Sequence, residues 1–416
     1  MIKEIELINW KSFKKSKLYI DPLTILIGTN ASGKSNILDA LLFLQRITMG
    51  KQVNAAISGD MESKEIRGGI DWIIAKNESN SEISVVIQSD EDQNTDYTYE
   101  IKIAKADDNR LEIKSESLSR IKKTPSGRSY EKRLFYTVVD DLKNPGMITY
   151  FNTGTRGRGK RIDLGRSFSV LHQSKSLKLT KEVAEGIHMV FQKLSNIFIL
   201  DPIPSLMRGY TKFSDTLLSD ASNISGVLAA LDAERKNDIE KVLTKYLDEL
   251  PEKDIFKVWV EPVGKFRSDA MLYCQERWND QELIVDARGM SDGTLRFLAI
   301  MTALLTIKKN SLLVIEEIDN GFHPSRANVL VRFLKEVGSS RNIDVICTTH
   351  NPAFLDALGN EMIVFISVVF RSNTSGESCI KLLEEVENLS KLIGRGSIGK
   401  LASQGVIEQS IKNNPL

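Results

Sequence analysis

Leu26-Ile27-Gly28-Thr29-Asn30-Ala31-Ser32-Gly33-Lys34-Ser35-Asn36 is the stretch that decides the fold. From Gly28 to Ser35 it matches the phosphate-loop pattern G-x-x-x-x-G-K-[ST] at every fixed position. Its flanks have the order that the chemistry requires. Leu23 to Ile27 reads as a short buried strand, and Asn36 to Arg46 as a helix with Ile37, Leu38, Leu41 and Leu42 on one face. Gly28 and Gly33 let the backbone turn close to a phosphate, so that successive N–H groups and the helix N-terminus point at the anion. Lys34 then supplies a cation for the β/γ oxygens, and the Ser35 hydroxyl is placed to ligate Mg²⁺. The chain is expected to bind a nucleotide, with Gly28, Asn30, Gly33, Lys34, Ser35 and Asn36 contacting it.

Composition narrows the partners. The 56 Lys plus Arg nearly cancel the 55 Asp plus Glu, so no global charge excess favours nucleic acid and any such contact must be a local patch. Cys274, Cys347 and Cys379 are far apart with no C-x-x-C pair, which suits a reducing cytosol and excludes a cysteine zinc hook. No apolar run approaches the ~20 residues of a membrane span. The N-terminus alternates like a strand and lacks the apolar core of a signal peptide. A soluble, cytoplasmic protein is expected.

Ile2 to Asn9 and Lys17 to Ile20 alternate with period two ahead of the loop. After the loop helix, Ile83–Gln88, Tyr97–Ala104, Leu111–Ser117, Leu134–Val139 and Met147–Phe151 read as an antiparallel meander. Two basic sections fall within Arg120 to Arg166: one from Arg120 to Arg133, the other Arg156-Gly-Arg-Gly-Lys-Arg161. They are either solvated hairpin tips or a phosphate-backbone contact for DNA. From Thr180 to Leu250 the period is helical, broken at Asp201-Pro-Ile-Pro204, with Leu231 to Glu249 reading as an exposed helix or short arm. Strand-like alternation returns in Phe256–Glu261, Ala270–Gln275 and Glu282–Val285.

The C-terminal half carries the rest of the site. Ser311 to Ile315 is an apolar strand that ends in Glu316-Glu317; one carboxylate there can hold Mg²⁺ and the other can orient the attacking water. Asp344 to Thr349 is a second buried strand, and it delivers His350 at its carboxyl end, where open α/β sheets bind ligands. Between the loop and these strands, Ser291-Asp292-Gly293 opens the apolar helix Leu295 to Ile307. A further helix is expected from Pro324 to Val337.

Four phrases taken together, Leu26 to Asn36, Ser291-Asp-Gly-Thr-Leu-Arg-Phe-Leu298, Ile315-Glu-Glu-Ile-Asp-Asn-Gly-Phe-His-Pro324 and Thr349-His-Asn-Pro352, resemble the fixed motifs of ABC-type AAA ATPases of the RecF, SMC and OLD-like group. The resemblance covers residues 1–50 and 285–360 and implies an α/β ABC-type P-loop NTPase head: a mixed sheet with an antiparallel meander and a helical insertion. It implies lobes at 1–175 and 255–416 with the insertion at 176–254. It also makes Glu317 the catalytic glutamate, His350 the switch histidine, Glu316 with Ser35 the metal ligands and Asp319 a D-loop residue. Ser291 and Gly293 become a signature motif that contacts nucleotide held by another protomer. Ser-Asp-Gly replaces Ser-Gly-Gly and Glu316 replaces the usual aspartate. The family's Q-loop glutamine has no motif match here; Gln45 and Gln173 are the candidates.

ATP and Mg²⁺ are thus the expected ligands, and a homo-oligomer, at least a dimer, the expected assembly. OLD nucleases add a Toprim domain, but the residues after His350 show no acidic constellation suited to two metals, so a stand-alone head is expected. The resemblance points to a switch that regulates a separately encoded nuclease or toxin, as in Septu-like defence ATPases. The alternatives are a RecF-like ATPase acting directly on DNA and, less consistent with Glu316-Glu-Ile-Asp319, a transporter subunit.

Overall fold

The computed structural model describes residues 1–413 apart from 62, 107–109, 139–143, 253, 279–280, 388 and 395. Alternating apolar residues behave as period two requires: β1 (Ile2–Trp10) buries Ile5 and Leu7 and pairs antiparallel with β2 (Phe13–Tyr19). β3 (Leu23–Ile27) is instead buried at every residue, as expected of a strand with both faces covered. The loop helix α1 (Lys34–Met49) follows, then α2 (Val53–Ser58) and α3 (Gly69–Ile73). The expected meander is β4 (Asn80–Gln88), β5 (Thr95–Lys105), β6 (Leu111–Lys123), β7 (Ser129–Thr137) and β8 (Gly146–Phe151). Val139, the expected end of the fourth of these stretches, lies outside the described residues. A strand that the sequence reading did not anticipate, β9 (Lys160–Gly165), completes an eight-stranded antiparallel sheet in the order β2-β1-β4-β5-β6-β7-β8-β9.

The short helix α4 (Val170–Gln173) is tied to this sheet by Glu116 of β6. Its fully buried carboxylate accepts from Tyr99 Oη at 2.9 Å, Ser169 Oγ at 2.8 Å, the Val170 amide at 2.8 Å and the Leu171 amide at 3.3 Å.

Residues 176–254 are shared between the two halves of the molecule. α5 (Lys181–Ser195) packs on α1 and β7, β10 (Ile197–Leu200) joins the nucleotide sheet, and β11 (Thr211–Lys212), α6 (Ile224–Ala230) and α7 (Ala233–Asp248) go with the C-terminal half. Leu231 to Glu249 is not an exposed arm. Ile239, Leu243, Tyr246 and Leu247 of α7 fall on one helical stripe and are buried, a pattern hidden among its charges. α7 packs against β12 (Ile255–Val263), which with β13 (Asp269–Trp278), β14 (Gln281–Asp286) and β11 forms a four-stranded antiparallel sheet.

The remaining chain builds the nucleotide sheet around β3. After α8 (Asp292–Thr306) come β15 (Leu312–Ile315), α9 (Ala327–Arg341), β16 (Asp344–Thr348), α10 (Pro352–Leu358), β17 (Ile366–Arg371) and β18 (Ser378–Leu382). The chain closes with α11 (Leu389–Ile393), α12 (Ile398–Ser403) and α13 (Val406–Asn413). The sheet order is β10-β15-β16-β3-β17-β18, parallel except for β18. Leu26 of β3 faces the core shared with α1 and the meander, whereas Leu23, Ile25 and Ile27 face the core shared with α8 and α9. The architecture is the expected α/β head: a mixed sheet carrying the phosphate loop, with an antiparallel meander beside it. Among the described residues, no helix is long and apolar enough to cross a membrane.

Candidate nucleotide site

Four adjacent parallel strands, β15, β16, β3 and β17, end at one cavity of about 300 Å³. They bring to it Glu316 and Glu317, Thr348 and His350, the loop Asn30 to Asn36, and Arg371. The carboxyl edge of a parallel sheet is where such folds bind ligands.

The loop is braced from behind. A Cβ on Gly28 (φ +145°) would sit 2.0 Å from the Val369 carbonyl, and one on Gly33 (φ +118°) 2.5 Å from Ser378 Oγ, so both positions are closed to other residues. Ser378 Oγ donates to the Ser32 carbonyl at 2.5 Å, and Asn36 Nδ2 donates to Ser12 Oγ at 2.7 Å. Lys34 Nζ donates to the Gly28 carbonyl at 2.7 Å and the Thr29 carbonyl at 3.0 Å. Burial lowers its pKa to about 8, against the opposing pull of Glu317, Glu408 and Glu316.

Ser35 Oγ donates to Glu316 Oε1, and Arg67 grips both oxygens of the same carboxylate, at 3.0 Å through Nη1 and 2.5 Å through Nη2. Burial pushes the Glu316 pKa up, but the Arg67 fork and the Ser35 hydroxyl outweigh it and hold it below the usual carboxylate value. A hydroxyl and a carboxylate in contact are the hard oxygen donors that Mg²⁺ takes from a protein, its other ligands being phosphate and water. Ser35 and Glu316 therefore fit that ion. Among the described residues, no group of three or more His, Cys, Asp or Glu is placed to hold a metal without such help.

Glu317 stands in the left-handed region at φ +48°, a cost that the surroundings must hold in place. Its amide donates to Thr348 Oγ1 at 2.7 Å, and its Oε2 accepts from Asn320 Nδ2 at 3.2 Å, leaving the carboxylate exposed to the cavity. Partial burial and then the Lys34 ammonium depress the His350 pKa, with Asp319 and Glu317 opposing. Burial raises the Asp319 pKa, partly offset by a hydrogen bond from Thr349.

Ser291 and Gly293 do not line this cavity. Ser291 is the exposed N-cap of α8, its Oγ accepting from the Thr294 amide at 3.1 Å. A Cβ on Gly293 would lie 2.6 Å from the Gly321 carbonyl. Arg208 clamps the approach to this turn, donating to the Ala287, Arg288 and Met290 carbonyls and pairing with Asp292 at 2.5 Å.

Neither glutamine candidate lines the cavity; Gln173 hydrogen-bonds to the backbone of Gly165 and Phe168. Part of the basic region is paired with acids: Arg120 and Lys132 with Glu182, Lys122 with Asp92, Lys123 with Asp96, and Arg161 with Asp163 two residues on. Arg166 is buried against backbone carbonyls. Arg156 and Arg158, on the turn between β8 and β9, remain exposed with Lys160. The sequence reading missed Arg67, Arg208, Thr348 and Arg371. Arg67 alone carried a local signal, the Gly68-Gly69 turn after it, in which both glycines have positive φ.

Residues 23–356 match the family described as "AAA domain, putative AbiEii toxin, Type IV TA system". An ATP/GTP phosphatase of Helicobacter pylori is 21% identical over 373 residues, covering 86% of this chain and 87% of that protein. The chromosome partition protein Smc of Methanocaldococcus jannaschii is 49% identical over 55 residues, covering 13% of this chain; the match spans only 5% of that protein's length. Among solved structures, an Smc head bound to the C-terminal winged-helix domain of ScpA superposes with a TM-score of 0.49 at 16% identity, covering 91% of this chain and 96% of that one.

Proposed function

We propose, from the premise that this chain belongs to that AAA domain family, that it hydrolyses ATP to ADP and phosphate with Mg²⁺ at the cavity just described. The observation that carries this reading is the meeting of Lys34, Ser35, Glu316 and Glu317 at the ends of the parallel strands β3 and β15, which flank β16. Lys34 lets go of its loop carbonyls to neutralise the β/γ oxygens. Glu317 orients a water and accepts its proton as the water oxygen attacks the terminal phosphorus and the bond to the ADP oxygen breaks. His350 sits beside Lys34 to contact the terminal phosphate. A magnesium ion on Ser35 and Glu316 would neutralise charge on the β and γ oxygens. Glu317→Gln should keep ATP binding and lose about 10²- to 10⁴-fold in turnover, as removal of a general base does. Equal turnover in the two proteins would remove the assignment.

Two copies closing around nucleotide is the assembly that the signature turn favours. Ser291 is exposed at a helix N-terminus and outside its own cavity, where it is free to face a phosphate held by a second copy. In this reading, closing and release of the pair regulate a separate effector in defence or genome maintenance. The words "putative AbiEii toxin, Type IV TA system" in the matched family's description support a part in defence. The alternative, a RecF-like ATPase acting directly on DNA, draws support from Arg156, Arg158 and Lys160 on one exposed hairpin.

A further inference from the structure

We propose that Arg371 is a second cationic contact to the terminal phosphate of bound ATP, supplied by the strand on the far side of β3 from the acidic pair. The inference deepens the ATPase reading and rests on it. β17 is the parallel neighbour of β3, with Ile366 opposite Ile25 and Val368 opposite Ile27, and Arg371 is its last residue. Each of the other three strand ends at this cavity delivers a residue that the reaction needs, and β17 delivers a guanidinium. The side chain is held in place. Its Nε donates to the Ala31 carbonyl at 3.0 Å, in the loop itself, and its Nη1 donates to the Gly376 carbonyl at 2.7 Å, in the turn between β17 and β18. That turn is closed by the Ser372 amide on the Glu377 carbonyl at 2.8 Å, and the hairpin is latched to the loop by Ser378 on Ser32. Of the five N–H donors on an arginine, the two of the Nη2 amino group have no hydrogen-bond partner among the described residues.

Charge accounting assigns those donors a task. Arg67 is already engaged by Glu316, so Lys34 is the other cation lining the cavity, and it faces both Glu316 and Glu317. A triphosphate adds a charged group at the end of the cavity where Glu317 and His350 lie. The planar guanidinium anchored on Ala31 is suited to take oxygens of that group from the β17 side of the loop, opposite Glu317 and His350. A diphosphate has no group to offer it.

Titration calorimetry with ATP and with ADP, both with Mg²⁺, on a Glu317→Gln background that preserves ATP, tests the assignment. Adding Arg371→Ala should weaken ATP by about 10- to 100-fold, the scale of one charge-assisted hydrogen-bonded contact. It should change ADP by less than about threefold. Arg371→Lys, which keeps the charge and loses the fork, should fall between the parent and Arg371→Ala for ATP alone. Equal weakening of both nucleotides, or no weakening of ATP, overturns the assignment, since a residue that only shapes the loop acts on both alike. If Arg371→Ala does not fold, the same comparison on Arg371→Lys decides: selective loss of ATP supports the contact, and parallel change overturns it. A parent protein that binds neither nucleotide overturns the ATPase reading and this inference with it.

Discussion

The Arg67 guanidinium holds both oxygens of Glu316, at 3.0 and 2.5 Å, across 249 residues of sequence. A fork that spends both carboxylate oxygens competes with any cation seeking them. Arg67→Ala should therefore lower the Mg²⁺ concentration for half-maximal ATP binding severalfold, whatever it does to turnover. A half-saturation point that rises or stays put would show that the arginine does not compete for the carboxylate.

Lys34 should make nucleotide affinity depend on pH in one direction. Its free-state pKa of about 8 lies below the ordinary 10.5, and a bound phosphate favours the ammonium, so binding takes up a proton above pH 8. ATP affinity should be level below that pH and fall above it, by at most about tenfold per unit. Calorimetry from pH 6.5 to 9.5 reads this directly, and Lys34→Arg, which stays protonated, should flatten the curve. A flat profile in the parent protein would place the titration elsewhere.

If two copies share each site, inactive Lys34→Ala and inactive Ser291→Arg should restore part of the ATPase activity when mixed, because one composite site retains both parts. Mixed oligomers that form and stay inactive at every ratio would refute shared catalysis.

Glu116→Ala should be among the most destabilising single changes in the eight-stranded sheet. It strips the Tyr99 hydroxyl, the Ser169 hydroxyl and the Val170 amide of a buried acceptor at once, while the Leu171 amide keeps Ser169 Oγ at 3.1 Å, a cost of about 3 kcal/mol or more. Thermal melts should show a larger fall in Tm than for Tyr99→Phe, which removes one of those donors. Equal shifts would mean that water replaces the carboxylate.

Changing Arg156, Arg158 and Lys160 together to Glu should abolish any salt-dependent DNA binding and leave basal ATP turnover within about twofold. DNA binding that survives the triple change would assign the contact to another surface.

The parts of the site legible in the sequence are those announced by their own flanks. Leu23 to Ile27, Leu312 to Ile315 and Asp344 to Thr348 are short apolar runs, and each hands its next residues to the cavity. Arg67 follows no such run, and Arg371, although it ends the apolar run Ile366 to Phe370, takes its role from a loop partner that the sequence does not announce; their partners lie 249 and 340 residues away. The same blindness made the region from Arg120 to Arg166 look more basic than it is, because Glu182 and Asp96, which pair with Arg120, Lys132 and Lys123, come from α5 and β5. α7 was misread for a different reason: its four buried apolar residues, spaced along sixteen, give a stripe that the intervening charges outnumber.

The place of β3 in its sheet carries a consequence for how the chain is made. Its five buried residues leave the ribosome early, yet the strands on either side of it begin only at Asp344 and Ile366. At 5–20 residues per second, this apolar strand waits roughly 15 to 60 s with both edges unsatisfied. During that interval the nascent chain offers an aggregation-prone template and has no working nucleotide pocket. Translation arrested before residue 344 should yield a product that clings to chaperones and is inert toward ATP.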